Sequence, residues 1–386
     1  MAVTTLEAEL AHLEASGLKR DRRVVGSGRN ARITIGAQEY LAFSSNDYLG
    51  LAGNDSLVAA AQEGAALYGV GAGASHLLLG HTDVHHALEE ALARFTGLSR
   101  ALLFSTGYMA NIGIVTALAG REDAVFGDRL NHASLNDAAL LSRARFQRYP
   151  HLDMTALDTL LSASRAKRKI ILTDTVFSMD GDLAPVTELV RLAEKHDAWL
   201  VLDDAHGFGV LGAGGRGALA HFNVKSSRIV YMATLGKAAG VAGAFAAGAA
   251  PVVEYLIQRA RTYVYTTASP PLLAHALLTS LQLITDGQWR RDRLAALIVA
   301  LKAGLCGSHW RLLPSDTPIQ PLSIGKTAEA MRVSALLAEE GLIVPAIRPP
   351  TVPQGTARLR ISLSAAHTKD DIGRLVATLC RIAPQG

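Results

Sequence analysis

The chain has 386 residues, 49% hydrophobic, 19% charged and only 5% aromatic. That apolar fraction supports a large packed core and excludes both a disordered chain and a disulfide-stapled miniprotein. Its 38 basic and 34 acidic residues leave a net charge of +4, too even a balance for a dedicated nucleic-acid binder.

The N-terminal Met1-Ala-Val-Thr-Thr-Leu-Glu7 lacks the order of a secretion signal or transit peptide. The uncharged run Ala238 to Val253 is interrupted by glycines and Pro251. It falls short of the ~20 apolar residues that a membrane span requires. With two cysteines, Cys306 and Cys380, too few for a metal site or disulfide framework, a soluble, cytoplasmic protein is expected, with no membrane and no nucleic-acid partner. The basic runs Arg143–Arg148 and Arg165–Lys169 read as solvated helix faces or loops rather than phosphate contacts.

Residues 1–54 read as an arm. Leu6, Leu10 and Leu13 mark an amphipathic turn set, a polar Lys19–Arg23 stretch follows, and Ala31–Leu41 is hairpin-like. From 55 to 285 short apolar runs alternate with helical patterns. The runs are Ala101–Phe104, Ala124–Phe126, Ile170–Thr173, Trp199–Leu202, Ile229–Met232 and Ala244–Ala247. They are near-continuous in apolarity, the mark of strands covered on both faces of a mostly parallel sheet. Between two of them Pro185 suits a first helical position, and Val186, Leu189, Val190 and Ala193 form one stripe for the sheet. Residues 286–386 mix helical stretches (Leu294–Leu305, Ala328–Glu340, Lys369–Ile382) with strand-like ones (Gln320–Ile324, Arg358–Leu363), which predicts a smaller α/β domain. The fold class is α/β.

In such sheets ligands collect beyond the carboxyl ends of the strands. After Phe104 comes Ser105-Thr-Gly-Tyr-Met-Ala-Asn111, a helix opening whose amides suit a phosphate; a tight strand–helix turn uses the same residues. After Leu202 comes Asp203-Asp-Ala-His-Gly207. Two carboxylates there need partners if buried, and a protonated ring nitrogen would satisfy one; Asp204 also reads as a solvated strand end. After Met232 comes Ala233-Thr-Leu-Gly-Lys237, whose lysine is the only charge between Arg228 and Glu254. Desolvation there lowers an amine's pKa and frees it for Schiff-base chemistry, although a lysine snorkelling from a loop fits equally well. Phosphate turn, ring-nitrogen carboxylate and Schiff-base lysine together are the parts that pyridoxal 5′-phosphate (PLP) requires.

Ser178-Met-Asp-Gly-Asp182, Asp203-Asp-Ala-His-Gly207, Thr234-Leu-Gly-Lys237, Ala346-Ile-Arg-Pro-Pro-Thr-Val-Pro353 and Gly355-Thr-Ala-Arg-Leu-Arg360 resemble the α-oxoamine synthases. The resemblance runs from about residue 20 to the C-terminus. It implies the PLP-dependent transferase fold type I, aspartate-aminotransferase-like, and a decarboxylative condensation of an amino acid with an acyl thioester. Ile347–Pro353 is most similar to the members that join L-alanine to pimeloyl-CoA or pimeloyl-acyl-carrier protein. Sister activities (glycine C-acetyltransferase, 5-aminolevulinate synthase, serine palmitoyltransferase) share the cofactor motifs, and a non-catalytic PLP-fold subunit is the alternative of another class.

The resemblance implies further roles. Lys237 would hold PLP and move the substrate's α-proton, and Asp203 would pair with the ring nitrogen. His206 would bond the ring's phenolic oxygen, and His132 would stack on its face. Gly107, Tyr108, Ser178 and Thr234 would contact the cofactor. Thr266 and Thr267 would reach the phosphate of a neighbouring subunit, which implies a homodimer with shared sites. Arg348 would clamp the amino-acid carboxylate, with Arg20, Asn46 and Thr351 near the substrates. Gly71–Gly80 departs from the family in being more apolar. No metal is expected: His81, His85 and His86 read as a surface helix.

Overall fold

The computed structural model describes residues 2–26, 28, 29 and 31–382. All six apolar runs between residues 100 and 248 are strands of one seven-stranded sheet. Across it the order is Arg100–Phe104, Ala244–Gly248, Ile229–Thr234, Ala198–Asp203, Lys169–Asp174, Ala124–Asp128 and Arg145–Tyr149. Only Ala244–Gly248 runs antiparallel to its neighbours; the remaining pairings are parallel. Successive residues divide between two cores. Ile171, Leu200 and Leu202 join the cluster on one face, and Ile170, Leu172 and Val201 that on the other. Side chains alternate across a strand, so burial of both faces explains why these runs lack polar alternation.

The seventh strand corrects the reading of Arg143–Arg148 as a helix face or loop. Arg145–Tyr149 pairs in parallel with Ala124–Asp128 at the sheet's edge, where Arg145 and Arg148 stay exposed and Tyr149 is buried. Charge on an edge strand blocks further pairing; it mimics a solvated helix in sequence. The Val186–Lys195 helix buries its predicted stripe, Val186, Leu189, Val190 and Ala193. Pro185 is its N-cap rather than its first residue, because its ψ of 70° is not helical.

A second sheet, wholly antiparallel, is ordered Arg311–Leu312, Ile319–Gly325, Ala357–Ser362, Ala346–Ile347. The hairpin Arg32–Ile35 and Gln38–Ala42 pairs in parallel with Leu342–Ile343, so the arm is tied to the C-terminal part of the chain. We propose a division into an arm (1–54), a large domain (55–285) and a small domain (286–386), the hairpin packing with the last. The Ala2–Ala15 helix leaves Leu6, Leu10 and Leu13 exposed, so the expected stripe has no cover within one chain. Among the described residues no helix is long and apolar enough to cross a membrane.

Candidate active site

The residues following the parallel strands meet at the carboxyl end of the large sheet. Beyond Phe104, Thr106 caps the Gly107–Leu118 helix through Met109 N, and the amides of Gly107 and Tyr108 occupy positions with no intrahelical acceptor. Beyond Asp128, His132 caps the Ala133–Leu141 helix. Asp174 and Asp203 end adjacent strands in register, and Thr234 ends the next before the turn to Lys237. These residues, with Asn111, Ser134, Ala205, His206 and Met232, line a cavity of about 190 Å³.

Burial pushes the Lys237 amine down to about 8 despite the nearby Asp203 and Asp174. Its Nζ lies 2.8 Å from His206 Nε2. His206 is itself held well below the ordinary histidine range by burial, reinforced by the positive charge of Lys237, and is therefore neutral. With Nε2 accepting from Lys237, the ring proton sits on Nδ1 and is donated to Tyr48 Oη at 2.6 Å. Tyr48 in turn donates to Asn46 Oδ1 at 3.2 Å, and Arg360 Nη2 donates to the same Oδ1. Burial lifts the Tyr48 phenol above its ordinary range, so it keeps its proton. The result is one directed chain from amine to amide, with each donor matched to an acceptor.

The opposite wall is equally determined. Asn111 is fully buried, and its Nδ2 donates to Asp203 Oδ2 at 2.7 Å and Ser134 Oγ at 2.9 Å. Ala205 N donates to Asp203 Oδ1. Ser134 Oγ and His132 Nδ1 are 2.7 Å apart, and Ser134 N also donates to that nitrogen. The His132 ring proton is thereby left on Nε2. Burial lowers the His132 pKa, which keeps the ring neutral. Burial, then repulsion from Asp203, raises the Asp174 carboxyl well above its usual range, although His132 N donates to it.

Asp204 corrects the solvated strand end. It is fully buried and accepts from Thr175, from Tyr231 Oη at 2.6 Å and from Ala218 N at 2.8 Å. Gly217 (φ +82°) makes room for it: a Cβ there would stand 2.2 Å from Asp204 Oδ2.

Residues 38–379 match the aminotransferase class I and II family. The chain belongs to that family. Within it, the 8-amino-7-oxononanoate synthase of Nitrosospira multiformis is 63% identical over 365 residues, covering 95% of this chain and 92% of its own. A structure of serine palmitoyltransferase with PLP internal aldimine is 31% identical, with a TM-score of 0.91 over 97% of this chain and 95% of that one. The 8-amino-7-oxononanoate synthase structure from Francisella tularensis is 32% identical, with a TM-score of 0.78 over 89% and 97% of the two chains. The aminotransferase-family fold is the aspartate-aminotransferase-like one that the motifs imply.

Of the expected site residues, Lys237, Asp203, His206, His132, Gly107, Tyr108 and Thr234 line this cavity. Asn46 joins it through Tyr48. Ser178 and Thr351 line a larger cleft of about 680 Å³ that shares His132 with the cavity. Arg20 and Arg348 line a separate groove that reaches Thr351, and Arg348 donates to Lys19 O. Thr266 and Thr267 line neither the cavity nor these clefts. Tyr48, Asn111, Ser134, Asp174 and Arg360 are assigned no site role from the sequence.

The histidine-rich helix is also corrected in part. His85 is completely buried, its Nε2 bonded to Ser269 O at 2.9 Å, and Glu89 is buried and accepts from Leu103 N. His81, His86 and Glu89 bring one donor atom each within 4.8 Å of one another.

Proposed function

We propose that this chain is an 8-amino-7-oxononanoate synthase: a PLP-dependent acyltransferase that condenses L-alanine with a pimeloyl thioester, with loss of CO₂, in biotin synthesis. The observation that carries the chemistry is Lys237, a desolvated amine depressed to about 8 in a cavity walled by Asp203, His132 and a helix N-terminus. The 63% identity to the Nitrosospira enzyme, against 31% to serine palmitoyltransferase, supports the choice among sister activities. The higher TM-score of the latter reports shared fold, which does not decide substrate.

The residues present fit PLP. Asn111 Oδ1 is buried with no protein partner. A Cβ added to Gly107 would lie 3.8 Å from Met232 and Thr234, so the absence of a side chain there leaves the amide edge open to a phosphate. Gly107, Tyr108 and Thr234 would hold the phosphate, Lys237 the carbonyl carbon, Asp203 the ring nitrogen and His132 the ring face. PLP supplies the electron sink that stabilises negative charge at the alanine α-carbon.

The chain's own residues position and move protons. Lys237 takes the α-proton of L-alanine, and neutral His206 offers Nε2 as the acceptor that steers the amine. Asp203 is fixed at the cavity's end by Asn111 and Ala205. His132, its Nδ1 spent on Ser134, turns Nε2–H outward. Arg348 is the proposed clamp for the alanine carboxylate, a task suited to a planar guanidinium. Arg20, Asn46 and Thr351 flank the substrates, and Ser178 the cofactor side.

We also propose a cytoplasmic homodimer in which Thr266 and Thr267 complete the partner's site. Their position outside their own cavity supports this, as does the exposed apolar run Leu77-Leu78-Leu79 nearby. Ala268 N donates to Ala74 O, joining the two segments. Both free cysteines are exposed, in keeping with a reducing compartment.

The test is to incubate the purified protein with PLP, L-alanine and pimeloyl-CoA and follow visible absorbance and product mass. A visible band that is absent in Lys237→Ala, and turnover lost by about 10²–10⁴-fold in that variant, are expected. Turnover with glycine and not L-alanine would move the chain to a sister activity. No visible band in the wild type would refute the Lys237 assignment.

A further inference from the structure

The 680 Å³ cleft that opens from His132 carries an excess of positive charge that the chemistry above leaves unused. Its charged lining residues are Arg129, Arg148, Arg358 and Asp180. Arg358 is buried and donates to Asp180, so that pair cancels. Arg129 and Arg148 make no hydrogen bond or ion pair with any described side chain, whereas other charges around the large sheet are matched, as Lys195 is with Asp158 and Arg228 with Asp197.

Sheet register places the two guanidiniums at one corner. Arg148 is the partner of Gly127 across the parallel edge pairing. Arg129 follows Asp128 directly, and its amide donates to Tyr149 O at 3.1 Å. Arg129 also stands three residues before His132, the side chain common to cleft and cavity. Two forks without partners at the mouth of a cleft leading to the reacting centre form a receptor for anionic oxygens.

We infer that Arg129 and Arg148 recognise an anionic group on the acyl donor, which enters along this cleft and is presented at the His132 end. The inference rests on the proposed synthase reading. A pimeloyl thioester carries such oxygens in two places: the free carboxylate at the far end of the seven-carbon chain, and the phosphate of the carrier arm. Both offer the same chemistry to a guanidinium pair. L-Alanine has no comparable second anion, so the pair acts on one substrate only.

The test compares donor kinetics of wild type, Arg129→Gln, Arg148→Gln and the double variant. Both side chains are exposed, so glutamine perturbs no core. Three donors are used: pimeloyl-CoA, heptanoyl-CoA, which lacks the free carboxylate, and S-pimeloyl-pantetheine, which lacks phosphate; a donor that is not turned over is measured as a competitive inhibitor. Each single substitution is expected to raise the KM for pimeloyl-CoA about tenfold or more, while the KM for L-alanine holds. A rise that persists with S-pimeloyl-pantetheine and disappears with heptanoyl-CoA assigns the carboxylate, and the reverse pattern assigns the phosphate. Arg148→Lys should recover part of the loss through charge alone.

A KM for pimeloyl-CoA unchanged within about twofold in the double variant overturns the inference. So do equal rises for all three donors or a parallel rise for L-alanine, since neither depends on the anion. Wild-type enzyme that fails to join L-alanine to pimeloyl-CoA refutes the synthase reading itself, a separate result from variants that turn over normally.

Discussion

Burial converts Lys237 from an ordinary surface cation into a reactive amine. Its pKa of about 8 lies well below the ~10.4 of a solvated lysine, and the neutral His206 beside it accepts one of its protons. The amine must be unprotonated to attack a carbonyl, so capture of PLP by cofactor-free enzyme should accelerate as pH rises and level off above about 8. Stopped-flow absorbance across pH 6–10 measures this; a rate still climbing steeply beyond pH 9.5 would contradict a desolvated amine. The cavity residues that sequence revealed all follow a strand end, where position along the chain predicts position in space. Tyr48 and Asn111 could not be read that way. Tyr48 lies 158 residues from the histidine it bonds, and Asn111 is an unremarkable helical residue until its Nδ2 is seen to bridge Asp203 and Ser134. Buried polar partners carry no periodicity, so nothing local announces them.

Among the elements, the ends of the central strands are tied to the loops that frame the site. His151 bridges Asp128 at one strand end (2.9 Å) and Asp182 in the Ser178–Asp182 turn (2.8 Å), with its ring edge-on to Phe177. Burial alone would lower the His151 pKa, but hydrogen bonds and attraction from both carboxylates outweigh it and raise it to about 10. The unfolded value is near 6.5. The strap's contribution to stability is therefore complete below pH 6.5 and is lost as pH rises to about 10. Thermal midpoints of the wild type should fall across pH 7–10. His151→Gln should melt lower at pH 7 and fall less steeply over the same range; identical slopes would exclude the strap. Sequence exposed the six buried strands because two-sided burial leaves an unbroken apolar run. It concealed the edge strand Arg145–Tyr149, whose solvent-facing arginines imitate a polar helix, and it misjudged His85, whose burial follows from a bond to Ser269, 184 residues away.

At the scale of the whole molecule, a single chain leaves a run of apolar side chains open to solvent. Leu78 and Leu79 are 76% and 89% exposed and Tyr265 is 72% exposed. An exposed apolar patch of this kind suits an interaction face, and it lies beside Thr266 and Thr267, which line neither the active-site cavity nor the clefts around it. If those threonines complete the partner's phosphate site, two differently defective chains can repair each other. Lys237→Ala removes the amine from its own site; a Thr266→Ala, Thr267→Ala double variant damages the site across the interface. A mixed dimer then holds one site with both defects and one with neither. Co-refolding equal amounts should give about half mixed dimers, and so about a quarter of wild-type activity from two nearly inactive parents. Sedimentation of the same samples checks that dimers form. Dimers without recovered activity would mean that each chain builds its phosphate site alone, and that the exposed leucines serve association only.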